Sequence, residues 1–296
     1  MFNRFRKDPN YLMKYHLTVA MVLFCFNAVI LYFSPPQWPI LLWYLPAILL
    51  MTSTELKTVM LAVAYAWTVS FVRADYSYQS ALAVLLAVLL TCPLSSWIHS
   101  PSHGSMRPRW LNRPLGEFIG LVQLTGFPDW TILHVFHHQH PDDAKLDPHP
   151  PLQKNYWEFA FGMRAHIGNC FMRHYFKYFG ESPLSIKRVG YFLKAAKFNM
   201  LMKVCFWYFV FGPQNFTFFF TTSILLKMLH YAWFNYATHK IDKNGDYMIK
   251  NLDHSFYRLI NLIASGLYYH GNHHTNPHFH NPKNIPVKNP APAKSA

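Results

Sequence analysis

Cysteine is scarce. The chain has four, Cys25, Cys92, Cys170 and Cys205, and no C-x-x-C pair among them. That excludes a disulfide framework and a cysteine-rich zinc site, and leaves the thiols as small apolar side chains. Charge is scarce too, at 14% of residues, with only 13 acids. Few carboxylates argue against a Ca2+ or Mg2+ cage, because those ions take oxygen ligands. There is no small-residue secretory cleavage site, so the first apolar run is expected to be a retained span. No solenoid-type repeat is visible.

What is abundant is apolar and aromatic. Hydrophobic residues make up 52% and aromatics 18% of the 296 residues. Long charge-poor runs in that composition predict an integral membrane protein. Candidate spans cover about 17–33, 40–51, 58–72, 81–98, 200–212 and 216–237. The net charge of +14 sits mostly between these runs, as the positive-inside rule expects. The basic residues form no single solvated stripe, which argues against a nucleic-acid partner. The expected architecture is an all-α, multi-pass integral membrane protein with four to six transmembrane helices. One domain covers 1–280, with a cytoplasmic helical cap from 99–197 and 240–280. Residues 281–296, rich in Pro and Lys, are expected to be disordered.

Histidine carries the chemistry. His134-Val-Phe-His137-His138 places imidazoles at i, i+3 and i+4 of a helix, which predicts one shared face. His270-Gly-Asn-His273-His274 repeats the spacing, and His99-Ser-Pro-Ser-His103 and Asn235-Tyr-Ala-Thr-His239 add two i, i+4 pairs. The plainer reading of each group is a solvated polar cluster. Together they fall at span ends or in the cap, and counting spans puts them on one side of the bilayer. Neutral imidazole suits Fe, Zn or Cu. Eight or nine histidines are too many for one metal and about right for two. Two irons with open positions can activate O2, whereas zinc is redox-inert. Carboxylates commonly orient ligating histidines. Asp147, before Pro148 and His149, reads as such a group. Asp142 and Asp143 read equally as supporting carboxylates or as a solvated turn. His149 and His140 fall outside the shared spacing and read as supporting or surface residues.

The order H-x3-H, H-x2-HH, N-x3-H, H-x2-HH resembles the membrane fatty acid desaturase superfamily, with its non-haem di-iron centre. The resemblance covers about Leu17 to His280 and is closest to acyl-CoA-type desaturases. It implies His99, His103, His134, His137, His138, His239, His270, His273 and His274 as metal ligands. It implies Asn235 as a ligand through water; Asp142, Asp143, Asp147 and His149 stand as candidate supports on the reading of the residues alone. The three-residue gap in the first box departs from acyl-CoA desaturases and is similar to acyl-lipid desaturases and some hydroxylases.

The resemblance further implies two Fe as cofactor and O2 as co-substrate, with a cis double bond formed in an acyl chain linked to CoA, ACP or lipid. No haem-binding domain is seen, so a separate donor, a ferredoxin or a cytochrome b5, is expected to supply electrons. Trp130, Phe136, Trp157, Trp233 and Tyr269 are candidate walls of an acyl tunnel. A related hydroxylase, ketolase or acetylenase is the nearest alternative. A histidine-rich metal transporter fits less well, because transport calls for polar groups near mid-membrane.

Overall fold

The computed structural model describes residues 1–152, 154–242, 244 and 246–285. The chain is mostly helical. A short α1 (Phe2–Phe5) leads into α2 (Tyr11–Phe33), followed by α3 (Trp38–Met51), α4 (Leu56–Val72) and α5 (Tyr78–Ser102). Next come α6 (Asn112–Val122), α7 (Phe127–Gln139), α8 (Tyr156–Phe179) and α9 (Pro183–Asn215). A π-helical turn at Phe216–Thr221 joins α9 to α10 (Thr222–Thr238). After α10 the chain forms β1 (His239–Ile241), β2 (Tyr247–Ile249), α11 (Ser255–Ile263) and α12 (His270–Thr275).

Local signals explain where these helices begin. Ser77 and Ser80 form a reciprocal capping box on α5, Asn155 and Glu158 do so on α8, and Ser182 and Ser185 on α9. Each satisfies backbone N–H groups that a first helical turn leaves free. Pro183 at the first position of α9 adds a preset φ. Pro101 sits inside the last turn of α5, and the helix continues to Ser102.

α2 and α5 are long and apolar enough to cross a bilayer, while α3 and α4 are apolar but shorter. Large apolar side chains point outward along these helices, including Met21, Phe24, Val29, Leu42, Leu85 and Leu89. In water so broad an apolar surface would drive association. In hydrocarbon it costs nothing. The main core lies between α3, α4, α9 and α10, built on Tyr44, Ile48, Met51, Tyr208, Phe216 and Phe220. A buried polar thread crosses it, Tyr44 Oη to Ser70 Oγ at 2.7 Å and Ser70 Oγ to Thr217 Oγ1 at 3.1 Å. Interhelical hydrogen bonds of this kind satisfy groups that lipid cannot.

Three details depart from expectation. The run read as 200–212 belongs to the much longer α9, which starts in the cap and breaks only at Gly212, at φ 68°. The region after α10 is not wholly helical: β1 and β2 pair antiparallel with His239 opposite Ile249. The connecting turn is held by the Asp242 carboxylate, which accepts from the N–H groups of Asn244 and Asp246. Finally, Pro282–Asn284 forms a 3-10 turn, and the carbonyls of Pro282 and Ile285 accept from Asn272 Nδ2 at 3.0 and 3.2 Å. Residues 281–285, read as part of a disordered tail, are thus ordered here, and 286–296 lie outside the described residues.

α6 and α7 meet through Gly116, where a Cβ would collide with the ring of the fully buried Phe127. Gly116→Ala is therefore expected to lower the midpoint of thermal unfolding, at a cost of about 1–3 kcal/mol for overpacking. Scanning fluorimetry in detergent checks this. An unchanged midpoint would show that the α6–α7 contact is loose.

Candidate metal centre

Helix geometry decides how the histidines divide. Successive residues on a helix are about 100° apart. His134 and His138, one turn apart on α7, join one group, and His137 between them turns to the other. α12 mirrors this: His270 and His274 join the second group and His273 the first. The expectation of three imidazoles from each motif at one spot is thus corrected to a split of two and one.

The first group is His99, His103, His134 and His273, and the second is His137, His239, His270 and His274. In each, ligand atoms lie within 4.8 Å of one another, close enough to hold a metal ion. His138 belongs with the first group by contact. Its Nε2 lies 3.1 Å from that of His134 and 2.9 Å from that of His273. The His134 and His103 Nε2 atoms are 2.7 Å apart. In the second group His137, His274, His270 and His239 meet through consecutive Nε2 separations of 3.1 Å.

These contacts are not an ordinary hydrogen-bond network. A ring nitrogen carries either one N–H or one lone pair, in the ring plane. It cannot satisfy two neighbours at 3 Å in different directions. His99 Nε2 is enclosed with no hydrogen-bond partner at all. A shared cation resolves both facts, because each nitrogen then directs its single lone pair at one point. The donor set, all imidazole nitrogen, suits Fe, Zn or Cu.

Two of the inward imidazoles are aimed by carboxylates. His137 Nδ1 donates to both oxygens of Asp147 at 3.0 Å. His239 Nδ1 donates to Asp142 at 3.0 and 3.1 Å. Each bond places the proton on Nδ1 and leaves Nε2 to coordinate. The 140–149 loop is built for this. Asp142 adopts φ 63°, a left-handed conformation that aspartate tolerates better than most residues. Asp147 also accepts from the N–H groups of Asp142 at 2.7 Å and His149 at 2.9 Å. From outside, α8 clamps the loop: His166 donates to the Asp147 carbonyl, and Cys170 and His174 to that of Leu146.

Other expected residues land elsewhere. Asp143, read equally as a support or as part of a solvated turn, is exposed and caps its own turn, accepting from the N–H groups of Lys145 and Leu146. Its sequence neighbours the supporting acids, but the left-handed step at Asp142 turns it to solvent. His140 packs on His174, away from both groups. His149 is buried with its ring 4.4 Å from that of His137, and its Nδ1 has no hydrogen bond but lies 3.7 Å from Asp147 Oδ1. Asn235 is buried, with its side-chain amide donating to the Tyr231 carbonyl at 2.8 Å.

A cavity of about 370 Å3 reaches the centre at His134, His149, Trp130 and Tyr231. Trp130 lines it as expected and stacks on His134. The other candidate walls do not: Phe136 stacks on His174 in a separate core, and Trp157 and Trp233 face outward. Tyr269 pairs with Asn251 instead. Aromatic content alone cannot tell a wall from a core residue. The cavity also carries groups no motif signalled. His16 lies between Asp129, at 3.1 Å, and Asn199, at 2.8 Å. Lys203 donates to the carbonyls of Gly120 and Thr125.

Burial and mutual repulsion hold the imidazoles of His134, His137, His270, His273 and His274 well below their usual value near 6.5. Burial, with His239, brings His138 down to about 4. Burial raises the Asp147 carboxyl to about 7, while its backbone N–H donors pull the other way. The centre therefore presents neutral, coordination-ready rings.

Comparison with known proteins bears on what the centre is for. A family profile for fatty acid desaturases matches residues 77–284, more than half of the chain and every histidine in both groups. The chain belongs to the fatty acid desaturase family. Two proteins from Arabidopsis thaliana are similar over short stretches. Delta-9 desaturase-like 2 protein is 33% identical over 87 residues, 28% of each chain. Delta-9 desaturase-like 5 protein is 37% identical over 76 residues, 25% of this chain and 24% of that one. The chain thus spans about a quarter of the length of these curated relatives. No solved structure matches it significantly. The family is one of oxidoreductases.

Two expectations follow from this geometry. Asp147→Asn should weaken metal binding about 10–100-fold, as loss of a supporting carboxylate does, while Asp143→Asn leaves it unchanged. Metal titration of the purified variants measures both, and equal effects would contradict the placement. Second, the unfolded chain takes up protons on histidine near 6.5 while the folded, metal-free centre resists until lower pH. The unfolded state then binds more protons, so stability falls as pH falls through that window. Thermal midpoints of metal-free protein should decline as pH drops below 6.5 and go on declining below about 4, where His138 takes up its proton while the more strongly held rings still resist; Asp147, raised to about 7, contributes a smaller slope of opposite sign.

Proposed function

We propose that this protein is an O2-dependent fatty acyl desaturase that introduces a cis double bond. The observation that carries the reading is the pair of histidine groups, with a cavity that reaches the first of them at His134, in a chain of the desaturase family. His99, His103, His134, His138 and His273 would hold one metal. His137, His239, His270 and His274 would hold the other, with Asn235 reaching it through water. The fit rests on the all-nitrogen donor set and on the partnerless His99 Nε2. A pair of irons bound there would supply O2 activation and the two-electron oxidation of carbon.

The remaining work is the protein's. The cavity holds an acyl chain so that one –CH2–CH2– unit lies against Trp130 and Tyr231, next to the histidines. Such positioning lowers the entropic part of the barrier. Asp142 and Asp147 keep the rings aimed while substrate enters and leaves. The overall change balances as –CH2–CH2– plus O2, two electrons and two protons, giving –CH=CH– and two waters. The electrons come from a separate donor of ferredoxin or cytochrome b5 type, attracted by the basic surface. The protein is placed in the membrane as a multi-pass chain of four to six spans, with the centre on the cytoplasmic side.

Mass spectrometry of lipids from cells expressing the chain tests this. New double bonds are expected, together with about two irons per chain in purified protein, as a di-iron site requires. The double bonds should vanish in His137→Ala and in His273→Ala, with membrane insertion retained. Hydroxyl or keto groups on the acyl chains would overturn desaturation in favour of oxygenation, and one tightly held zinc without iron would overturn the redox reading.

A further inference from the structure

A second hollow of about 800 Å3 lies on the other side of α9, between α2, α6 and α9. Its walls are apolar along most of its length, with Val19, Val22, Phe26, Phe118, Phe206 and Trp207. Val22, Phe26 and Phe118 are about half exposed, at 50%, 55% and 57%, so the hollow is an open groove on the apolar face of the molecule. At one end it meets three cations, Arg4, Lys14 and Arg113, against a single lining carboxylate, Glu117. Lys14 and Arg113 each already hold an acid, Asp8 at 2.8 Å and Glu117 at 2.5 Å. The cationic end coincides with the start of α2, where a span leaves the polar region. The groove therefore has the shape of a bilayer lipid: a charged end at the interface and an apolar trough running inward.

One residue joins this groove to the catalytic cavity. Lys203 lines both. One turn away on α9, Met200 and Asn199 face the cavity, and Phe206 and Trp207 face the groove. The divider at this point is a flexible four-carbon stem. Among the described residues it is pinned by ammonium hydrogen bonds of 3.2 and 2.7 Å to the carbonyls of Gly120, at the end of α6, and Thr125, in the connection to α7. Gly120 lies in the last turn of α6, where its carbonyl also accepts from the Thr125 N–H at 2.9 Å, and Thr125 lies in the connection beyond it, so the pin can release without unwinding a helix.

We propose that the groove is a binding site for an anionic glycerophospholipid. Its phosphate sits at Arg4, Lys14 and Arg113, and its acyl chain lies along Val22 and Phe26 and passes Lys203 into the cavity. Substrate thus arrives from the bilayer, esterified to lipid, and not from a soluble carrier. Basic pockets between membrane helices on the cytoplasmic side are suited to anionic headgroups, and an acyl chain leaving lipid for an apolar trough gives up little solvation energy. What happens to the chain in the cavity rests on the desaturase reading. Where the lipid sits rests on the groove alone.

The test uses full-length protein in phosphatidylcholine vesicles containing phosphatidylglycerol with a photoactivatable diazirine on its acyl chain. Cross-linked peptides are mapped by mass spectrometry. Labelling is expected on the groove at residues 19–26 and Phe206, and also on the cavity residues Leu133 and Met200. Val22→Trp, at a lipid-facing position that folding does not depend on, should lower both about ten-fold, as loss of a well-matched contact surface does. Labelling confined to the groove would mean a resident lipid and overturn the entry route. Equal labelling by the phosphatidylcholine analogue would overturn headgroup recognition. Cavity labelling that survives Val22→Trp would place the entrance elsewhere. New double bonds in expressing cells without groove labelling would sink the route and leave the desaturase standing; groove labelling without any new double bond would do the reverse.

Discussion

An imidazole nitrogen offers one lone pair in one direction, and nine such rings must converge on two points. That constraint shapes most of the molecule around the centre. A helix turns about 100° per residue, so neighbouring histidines point to different groups. His137 and His138 separate to opposite groups, and His273 and His274 do the same on α12. The two short motifs therefore act as bridges between two sites. Each helix holds part of both, which fixes the distance between the groups and the rotation of each helix about its axis.

Holding these rings neutral in a buried place has a structural cost. The loop from His140 to His149 carries carboxylates and carbonyls into a region closed to water, where unpaired polar groups are expensive. Asp147 is saturated by His137 and two backbone N–H groups. Asp142 is saturated by His239 across a separation of 97 residues. α8, which contributes no ligand, supplies His166, Cys170 and His174 as donors to the loop carbonyls. The cap thus serves as scaffold for one loop, and the loop sets the tautomers of two rings. Buried networks of this sort rigidify a site only when every member is paired.

α9 connects this polar region with the apolar body. It begins at a capped end in the cap, passes the cavity at Asn199 and Met200, then packs against α2 and α3 in the core. The same helix faces the centre's cavity, the groove beside α2 and the main hydrophobic cluster. Its rigidity keeps the cavity at a constant position relative to the apolar face of the molecule.

The histidine spacing was readable from the chain because coordination demands a residue type, and helix periodicity demands an interval. The same holds for the apolar runs behind α2 and α5, whose side chains need only be uniformly apolar to satisfy lipid. Family membership followed from that spacing. Assignment of each ring to one of the two groups was not readable, since it depends on how α5, α7, α10 and α12 are rotated against one another. Asp142 and Asp143 are adjacent and chemically identical, yet one orients His239 and the other faces solvent; a single left-handed backbone step separates them. Phe136 and Trp130 look equally suited to line a tunnel, and only packing against His174 or against open space tells them apart. The sequence by itself determined the chemistry of the centre, because ligand type and interval are local properties of the chain. Tertiary structure alone decided which rings share a point, which acids support them and which walls enclose the cavity, because those depend on directions set by contacts between distant segments.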